Sequence, residues 1–302
     1  MVARTWGIGL YAPAGFATEP AAVARAVARW EAAGHRVVVD PTALSRWQRF
    51  SAPDKERLAA IMRMAHDPRV ELAVALRGGY GWSRLLERLD FGAIAASGTR
   101  WLGHSDFTAF QLAALAAQNM VTFSGPMGAY DFGAEQISAF TMEHWWGVLD
   151  ATRYEVRCAL SGDDLATSGT LWGGNLALLA HLVGTPYLPH VDAGILFVED
   201  VGEHPYRIER MLYQLHHAGV LDRQRALLFG EFNEYRLGAN DNGYDFDAMI
   251  AHVSASFGIP VFTGLPFGHR RDKLTLPHGA HCELAVRNGM ATLAFSRYAM
   301  SP

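Results

Sequence analysis

The sequence has few cysteines, no excess of positive charge and no long apolar run. Cys158 and Cys282 are the only cysteines among 302 residues, which excludes a disulfide framework, and their spacing is not that of a zinc or redox pair. The formal net charge of −4 gives no general electrostatic reason to bind nucleic acid or an anionic membrane. No apolar stretch approaches the roughly 20 residues that span a bilayer, and the short run at 6–12 indicates a first strand rather than a signal peptide. We therefore expect a soluble, cytoplasmic protein.

The sequence does contain enough apolar material for a large core, arranged in an alternating order. Hydrophobic residues make up 50% and charged residues 19% of the chain, which suits one large or two ordinary domains. Strand-like and helix-like segments alternate along the first half, a pattern typical of a mostly parallel sheet covered by helices. Strands are predicted at 6–11, 36–39, 71–76, 101–103 and 121–124, and helices at 20–33, 53–66 and 108–117.

A turn-rich, polar stretch at about 150–174 lacks a helical stripe and separates two such regions. We therefore predict an α/β protein of two domains. The N-terminal domain at 1–152 has a mostly parallel sheet flanked by helices, a linker follows at 153–172, and the C-terminal α/β domain at 173–302 has a mixed sheet. Ligands of such folds bind at the carboxyl ends of the strands, so we expect the site in the crevice between the domains.

Ser105 is placed where a hydrolase would hold its nucleophile. It lies between the apolar pair at 101–102 and the predicted helix at 108–117, so its hydroxyl would project from a strand-to-helix turn. The backbone N–H groups that open the helix would then point at an anion formed beside it. Gly103 supplies the small residue expected two places before, whereas Phe107 occupies the place where a small residue usually follows. The alternative is that Ser105 is simply a helix N-cap.

Other strand ends supply the further groups that an activated serine needs. Glu199 and Asp200 end an apolar strand, although they could instead cap the next helix. His269 follows another apolar strand in a loop, a position that suits a general base. The segment 77–81 has three glycines, whose free N–H groups could form half of an oxyanion hole, although glycine turns also end strands for steric reasons.

A metal site is not indicated by the thirteen histidines. His216 and His217 are adjacent on a predicted helix and so face different ways, and His278 and His281 flank a predicted hairpin turn. No His-Glu-x-x-His element is present. We expect neither a metal ion nor another cofactor.

Seven short motifs, in their order and spacing, resemble the serine LD-carboxypeptidases, the family of muramoyltetrapeptide carboxypeptidases and their microcin-immunity relatives. The likeness runs along almost the whole chain. The motifs are Tyr-Ala-Pro-Ala-Gly at 11–15, Arg-Gly-Gly-Tyr-Gly at 77–81, Gly-His-Ser-Asp-Phe-Thr at 103–108, Gly-Pro at 125–126, Gly-Gly-Asn-Leu at 173–176, Phe-Val-Glu-Asp-Val-Gly-Glu at 197–203 and Gly-Leu-Pro-Phe-Gly-His at 264–269.

The resemblance implies a role for each candidate in acyl transfer. Ser105 would be the nucleophile, His269 the general base and Glu199 the carboxylate that orients the histidine. The backbone N–H groups of Asp106, Gly78 and Gly79 would form the oxyanion hole. We add the hypothesis that Arg77 or Arg270 binds the free carboxylate of the substrate, since a guanidinium can do so without a metal.

The resemblance also implies a substrate and an assembly. Family members release the terminal D-alanine from peptidoglycan-derived tetrapeptides, which would make this chain a cytoplasmic, homodimeric enzyme of cell-wall recycling with a muropeptide as its partner. Two positions depart from the family, because His104 replaces an aromatic or aliphatic residue and Arg270 replaces a small one. Both changes would alter the polarity of the pocket.

Three other functions stay open on the sequence alone. The immunity branch of the same family cleaves an amide in a peptide–nucleotide antibiotic, but none of the tryptophans is clearly in a lid over an adenine. A non-catalytic protein could close two α/β domains around a peptide or sugar, because fold does not fix function. A metal-dependent amidase would be inhibited by chelators.

Overall fold

The chain forms two β-sheets with helices packed against them in a computed structural model that describes residues 4–298. The strands are β1 (Gly7–Tyr11), β2 (Arg36–Val39), β3 (Leu72–Ala75), β4 (Arg100–Gly103), β5 (Thr122–Ser124), β6 (Arg153–Ala159), β7 (Leu165–Asn175), β8 (Gly194–Val201), β9 (Gln224–Asn233), β10 (Val261–Thr263), β11 (Leu276–His278), β12 (His281–Arg287) and β13 (Met290–Ser296). The α-helices are α1 (Pro20–Ala32), α2 (Asp54–His66), α3 (Phe91–Ala96), α4 (Thr108–Gln118), α5 (Ala139–Asp150), α6 (Leu176–His181), α7 (Pro205–His217) and α8 (Phe246–Ser256).

The first sheet has the strand order β11-β5-β4-β3-β1-β2 and is parallel except for β11. The residues of β1 and β3 are buried throughout, as expected for parallel strands covered on both faces. Helix α1 has Pro20 at its first position, and Gly34 lies just past its end with a φ of 86°. These features agree with the predicted alternation of strands and helices.

The second sheet has the order β10-β9-β8-β7-β12-β13-β6. Strands β7 to β10 are parallel, whereas β12, β13 and β6 join the sheet in antiparallel pairs. Burial alternates along β12, so one face of this part is open to solvent. The predicted fold class, with one mostly parallel and one mixed sheet, is confirmed.

The linker predicted at 153–172 is wrong, because this segment forms β6 and most of β7. Its polar residues alternate with apolar ones, as at Val156, the one fully buried residue of β6. Such a strand shows the period of two that a half-exposed sheet requires, not a helical stripe. Its polarity therefore reflects the exposed face of a sheet rather than a connection.

The hydrophobic core does not divide at the predicted domain boundary. Strand β11 belongs by sequence to the C-terminal part but pairs with β5 of the first sheet. One core cluster joins Trp101 and Phe110 of the first region with Leu196 and Phe229 of the second. The two sheets therefore share apolar contacts on which their relative position depends. Among the described residues, no helix is both long and apolar enough to cross a membrane.

Candidate active site

Ser105 lies at a sharp turn directly after β4, where a 3-10 helix at Ser105–Phe107 leads into α4. Its φ of 63° is left-handed, a conformation that residues other than glycine seldom adopt and that marks the nucleophile elbow of hydrolases. Gly103 is required there, because a Cβ atom on it would lie 2.8 Å from the ring of Phe107. The large residue after the serine and the small one before it thus fit each other.

Three predicted side chains form one hydrogen-bonded series. Nε2 of His269 lies 3.0 Å from Oγ of Ser105, and Nδ1 lies 2.7 Å from Oε2 of Glu199. Because a carboxylate only accepts hydrogen bonds, the proton of the neutral imidazole belongs on Nδ1. Nε2 is then free to accept the proton of the serine hydroxyl. The two sheets meet in this series, since Ser105 follows β4 and Glu199 lies in β8.

The acidic end of the series is held by tight packing. Glu199 is 0% exposed, and Gly268 has a φ of 128° with a position for a Cβ only 3.1 Å from the Cβ atoms of Glu199 and Glu231. A larger residue before His269 would therefore push the carboxylate away. Nδ2 of Asn233 donates to the backbone oxygen of His269 at 2.7 Å and fixes the loop from the other side.

The pKa of His269 is raised above its usual value. Burial of the ring opposes protonation, but the hydrogen bond and charge of Glu199 outweigh burial. A raised pKa means that the imidazolium is stabilised, which is what a general base needs while it holds the proton of the nucleophile. Asp200, which follows Glu199, has a charge that also raises this pKa, and its Oδ2 accepts the backbone N–H of Ala177 in the first turn of α6 at 2.9 Å.

Gly78 of the glycine segment lies against the serine. A Cβ on Gly78 would be 2.8 Å from Cβ and 2.9 Å from Oγ of Ser105, and 3.4 Å from the backbone nitrogen of Asp106. Gly78 also accepts a hydrogen bond from the backbone of Gly15 at 3.2 Å. Gly79, with a φ of 108°, faces Arg77 and Gly15 rather than the serine. Gly78 and Asp106 are therefore brought together at Ser105, and Gly79 is one residue further out.

A cavity of about 590 Å³ opens beside His269 and contains both predicted arginines in its lining. Nη1 of Arg270 lies 3.1 Å from Glu231, whereas Arg77 donates to the backbone oxygen of Phe16 at 3.3 Å. The opposite wall comes from the segment 127–142, which includes the exposed side chain of Tyr130. The lining thus combines guanidinium groups with aromatic and aliphatic surface, which suits a small peptide with a free carboxylate.

An ion pair that joins the two regions at this cavity was not predicted from the sequence. Lys273 is 1% exposed, and its Nζ lies 2.7 Å from Oδ1 of Asp131. Two further contacts run in parallel, from Ser138 to Asp272 at 2.5 Å and from Thr141 to the backbone oxygen of Arg271 at 3.0 Å. We call these three contacts the clasp. A lone lysine before an apolar strand is the only signal of it in the sequence, and nothing there identifies its partner.

His104 is buried beside His269, with 5.2 Å between the ring centroids. Nδ1 of His104 lies 2.8 Å from the backbone oxygen of Gly125, which can only accept, so Nδ1 carries the proton. Burial, together with the charges of Lys273 and His269, lowers the pKa of His104 well below its usual value. His104 is therefore neutral in the physiological range and adds polarity, but no charge, to the cavity. Among residues 4–298, no group of three or more His, Cys, Asp or Glu side chains could hold a metal ion.

Both halves of the chain match known protein families. Residues 8–125 match the LD-carboxypeptidase N-terminal domain, and residues 168–284 match the LD-carboxypeptidase C-terminal domain. The N-terminal segment contains Ser105, and the C-terminal segment contains Glu199 and His269.

Solved and curated relatives agree with these matches. A crystal structure of muramoyltetrapeptide carboxypeptidase from Oxalobacter formigenes is 44% identical, covers 97% of this chain and 99% of its own, and superposes with a TM-score of 0.92. The murein tetrapeptide carboxypeptidase of Pseudomonas aeruginosa is 29% identical over 78% of this chain and 79% of its own length. The microcin C7 self-immunity protein MccF of Escherichia coli is 26% identical over 78% of this chain and 76% of its own length.

Proposed function

Because the chain belongs to the LD-carboxypeptidase family, we propose that it releases the terminal D-alanine from peptidoglycan-derived tetrapeptides during recycling of the cell wall. Family membership makes it a serine carboxypeptidase. The observation that carries the mechanism is the series from Ser105 through His269 to Glu199, with hydrogen bonds of 3.0 and 2.7 Å.

The proposed reaction is acyl transfer to the serine and then to water. Oγ of Ser105 attacks the carbonyl carbon of the amide while Nε2 of His269 takes the hydroxyl proton. The C–N bond then breaks, and the same proton passes to the departing amino group of D-alanine. A water molecule then attacks the acyl carbon and gives a proton to Nε2 of His269. The ester bond to Oγ breaks, and His269 passes this proton to Ser105. Glu199 holds the imidazole in the required tautomer and stabilises its charged form.

The negative charge on the carbonyl oxygen needs donors next to Ser105. The backbone nitrogen of Asp106 and the loop at Gly78 and Gly79 supply them in our proposal. The site that a Cβ of Gly78 would fill lies 2.9 Å from Oγ of Ser105 and 3.4 Å from the backbone nitrogen of Asp106. Each such donor typically contributes on the order of 3 kcal/mol to stabilisation of the transition state.

In this proposal, a cationic side chain of the cavity binds the substrate carboxylate. Arg77 and Arg270 both line it beside His269, so either guanidinium is in a position to bind the terminal carboxylate of the peptide. By family resemblance, the enzyme is also expected to be cytoplasmic and homodimeric, which fractionation and light scattering would test.

The first experiment measures D-alanine release from a purified muropeptide tetrapeptide by mass spectrometry. Wild type should release D-alanine and Ser105→Ala should not, whereas Ser256→Ala, which changes an exposed serine at the end of α8, should match wild type. A tetrapeptide that ends in L-alanine should remain intact in all three reactions. Release by Ser105→Ala would contradict the proposed nucleophile.

A failure of wild type on this substrate can be separated from a failure of the mechanism. If a fluorophosphonate still labels Ser105 but no D-alanine appears, the serine hydrolase stands and the substrate assignment is wrong. An aminoacyl-sulfamoyl adenosine would then be the next substrate to test. Without labelling or release, the assignment of Ser105 as nucleophile also fails.

A further inference from the structure

Asp106 directly follows Ser105, and its side chain makes a hydrogen bond that is independent of its backbone N–H group. The carboxyl group is 1% exposed and turns away from the cavity. Its Oδ2 accepts the backbone N–H of Trp82 at 3.1 Å, just beyond the glycine segment 77–81. The residue whose backbone nitrogen adjoins Ser105 is therefore bonded, through its side chain, to the segment that contains Gly78.

The glycine segment needs such an anchor. Gly78, Gly79 and Gly81 lack the side chains that normally restrict backbone angles, so ordering them costs more entropy than ordering other residues. At one end the segment is attached by the hydrogen bond from Gly15 to the backbone oxygen of Gly78. At the other end it is attached to Asp106. With both attachments, Gly78 is held against Ser105.

A buried arginine also contacts the glycine segment and helps to hold it in place. The side chain of Arg57 is fully buried, and its Nη1 donates to the backbone oxygens of Pro13 and of Gly81, the latter at 3.2 Å. A Cβ on Gly81 would lie 2.6 Å from that nitrogen, so the guanidinium packs directly beneath the segment. Burial raises the pKa of Asp106 to about 6, and the hydrogen bond from Trp82 and the charge of Arg57 offset only part of this rise. The anchor is therefore a buried polar network in which Nη1 and Nη2 of Arg57 both have acceptors, whereas its Nε has none among the described residues.

We propose that Asp106 is a positioning residue whose carboxylate ties the glycine segment to the nucleophile turn, so that the donors at Gly78 and Asp106 keep a fixed separation across Ser105. The proposal rests on the proposed acyl transfer at Ser105. Fixed donors stabilise an oxyanion without reorganisation during the reaction, and loss of one typically slows the chemical step by about 10²–10³-fold. Substrate binding in the cavity does not involve the carboxylate.

The test compares Asp106→Ala with Asp106→Asn in two assays. We expect Asp106→Ala to lower kcat for the tetrapeptide about 100-fold with KM within about threefold of wild type, because only the transition state uses the donors. Labelling of Ser105 by a fluorophosphonate should slow by a similar factor. Asp106→Asn keeps an oxygen that can accept the N–H of Trp82, so its kcat and its labelling rate should be at least about tenfold higher than those of Asp106→Ala.

A merely structural role would give a different result. Asp40, a buried carboxylate that pairs with Arg63 at 2.8 Å, provides the matched control, and Asp40→Ala should lower the melting temperature without slowing the labelling of folded enzyme. If Asp106→Ala does not fold, Asp106→Thr replaces it, since its hydroxyl is one bond too short to reach Trp82. Wild-type labelling by the folded variant, a loss confined to KM, or no recovery with Asp106→Asn would each overturn the proposal. Labelling does not require the peptide, so it decides the matter even if the substrate assignment fails.

Discussion

The two sides of the proposed active site, which we call the nucleophile side and the base side, are held in place by different means. On the nucleophile side, Ser105 is fixed by its own backbone, with a φ of 63° and the close approach of Gly78. On the base side, His269 is fixed by side chains, since Glu199 bonds its ring and Asn233 bonds its backbone oxygen. The first arrangement joins residues that are closer in sequence than those of the second, where the two bonded side chains lie 70 positions apart.

This difference predicts how each side responds to substitution. A strained turn between a strand and a helix keeps its shape as long as its neighbours leave room, so the nucleophile side depends on small residues in addition to the proposed anchor at Asp106. A side-chain network depends on each charge and hydrogen bond, so the base side depends on its carboxylates. The following predictions test that contrast, beginning with the largest effect.

Glu199→Gln should disable the base side while it leaves the serine turn unchanged. An amide can present its NH₂ group to the ring and so favour the wrong tautomer, and comparable changes in serine proteases lower kcat on the order of 10⁴-fold. Because Glu199 raises the pKa of His269, the acid limb of kcat/KM should lie above pH 6.5 in wild type and move to lower pH in the variant. The neutral imidazole is the active base, so activity falls as pH decreases through this pKa.

The measurement is a pH profile of D-alanine release by both enzymes. Glu203→Gln serves as the control, since Glu203 lies just past β8 and pairs with Arg207 at 3.7 Å instead of with the histidine. Its profile should coincide with that of wild type. An acid limb that stays in place in Glu199→Gln would show that His269 is not the group being titrated. A full loss of activity in Glu203→Gln as well would show that the effect is not specific to the bond between Glu199 and His269.

The same contrast explains which parts of the site could be predicted from sequence. Ser105 and the glycine segment carry local signals, namely a strand end, a helix start and glycines, and the structure places Gly78 against Ser105. The sequence alone indicates His269 and Glu199 as strand-end groups that could activate a serine, and the family resemblance assigns each of them its role beside Ser105. No local pattern in a single sequence shows which two strand ends lie next to each other in the fold.

Errors in the prediction arose where tertiary pairing overrides local composition. The polar segment at 153–172 has the turn residues of a linker, yet it forms β6 and most of β7 because β13 and β12 pair with it. The charged pair of Lys273 and Asp131 was missed for a related reason, as its members lie 142 positions apart. Contacts of this range have no local pattern that composition or periodicity could detect.

Lys273→Met should weaken the clasp and thereby the protein. The substitution leaves the carboxylate of Asp131 buried without its cation, a change that costs about 3–5 kcal/mol in comparable pairs. The free energy of unfolding, measured in urea, should fall accordingly. The double variant Lys273→Met/Asp131→Asn removes the unpaired charge and should recover most of the loss. If the double variant is no more stable than the single one, the ion pair does not account for the effect.

The smallest effect compares the two arginines, one on each side of the site. Arg77 has no carboxylate partner within residues 4–298 and bonds only a backbone oxygen, whereas Arg270 is already paired with Glu231. The free guanidinium is better placed to bind the substrate carboxylate, so Arg77→Ala should raise KM for the tetrapeptide about tenfold or more, and Arg270→Ala should raise it less. Arg77→Lys keeps the charge but loses the bidentate geometry, so its KM should lie between those of wild type and Arg77→Ala. If both alanine variants bind the peptide as wild type does, neither arginine recognises its carboxylate, and if Arg270→Ala has the larger effect, the base side rather than the nucleophile side provides that recognition.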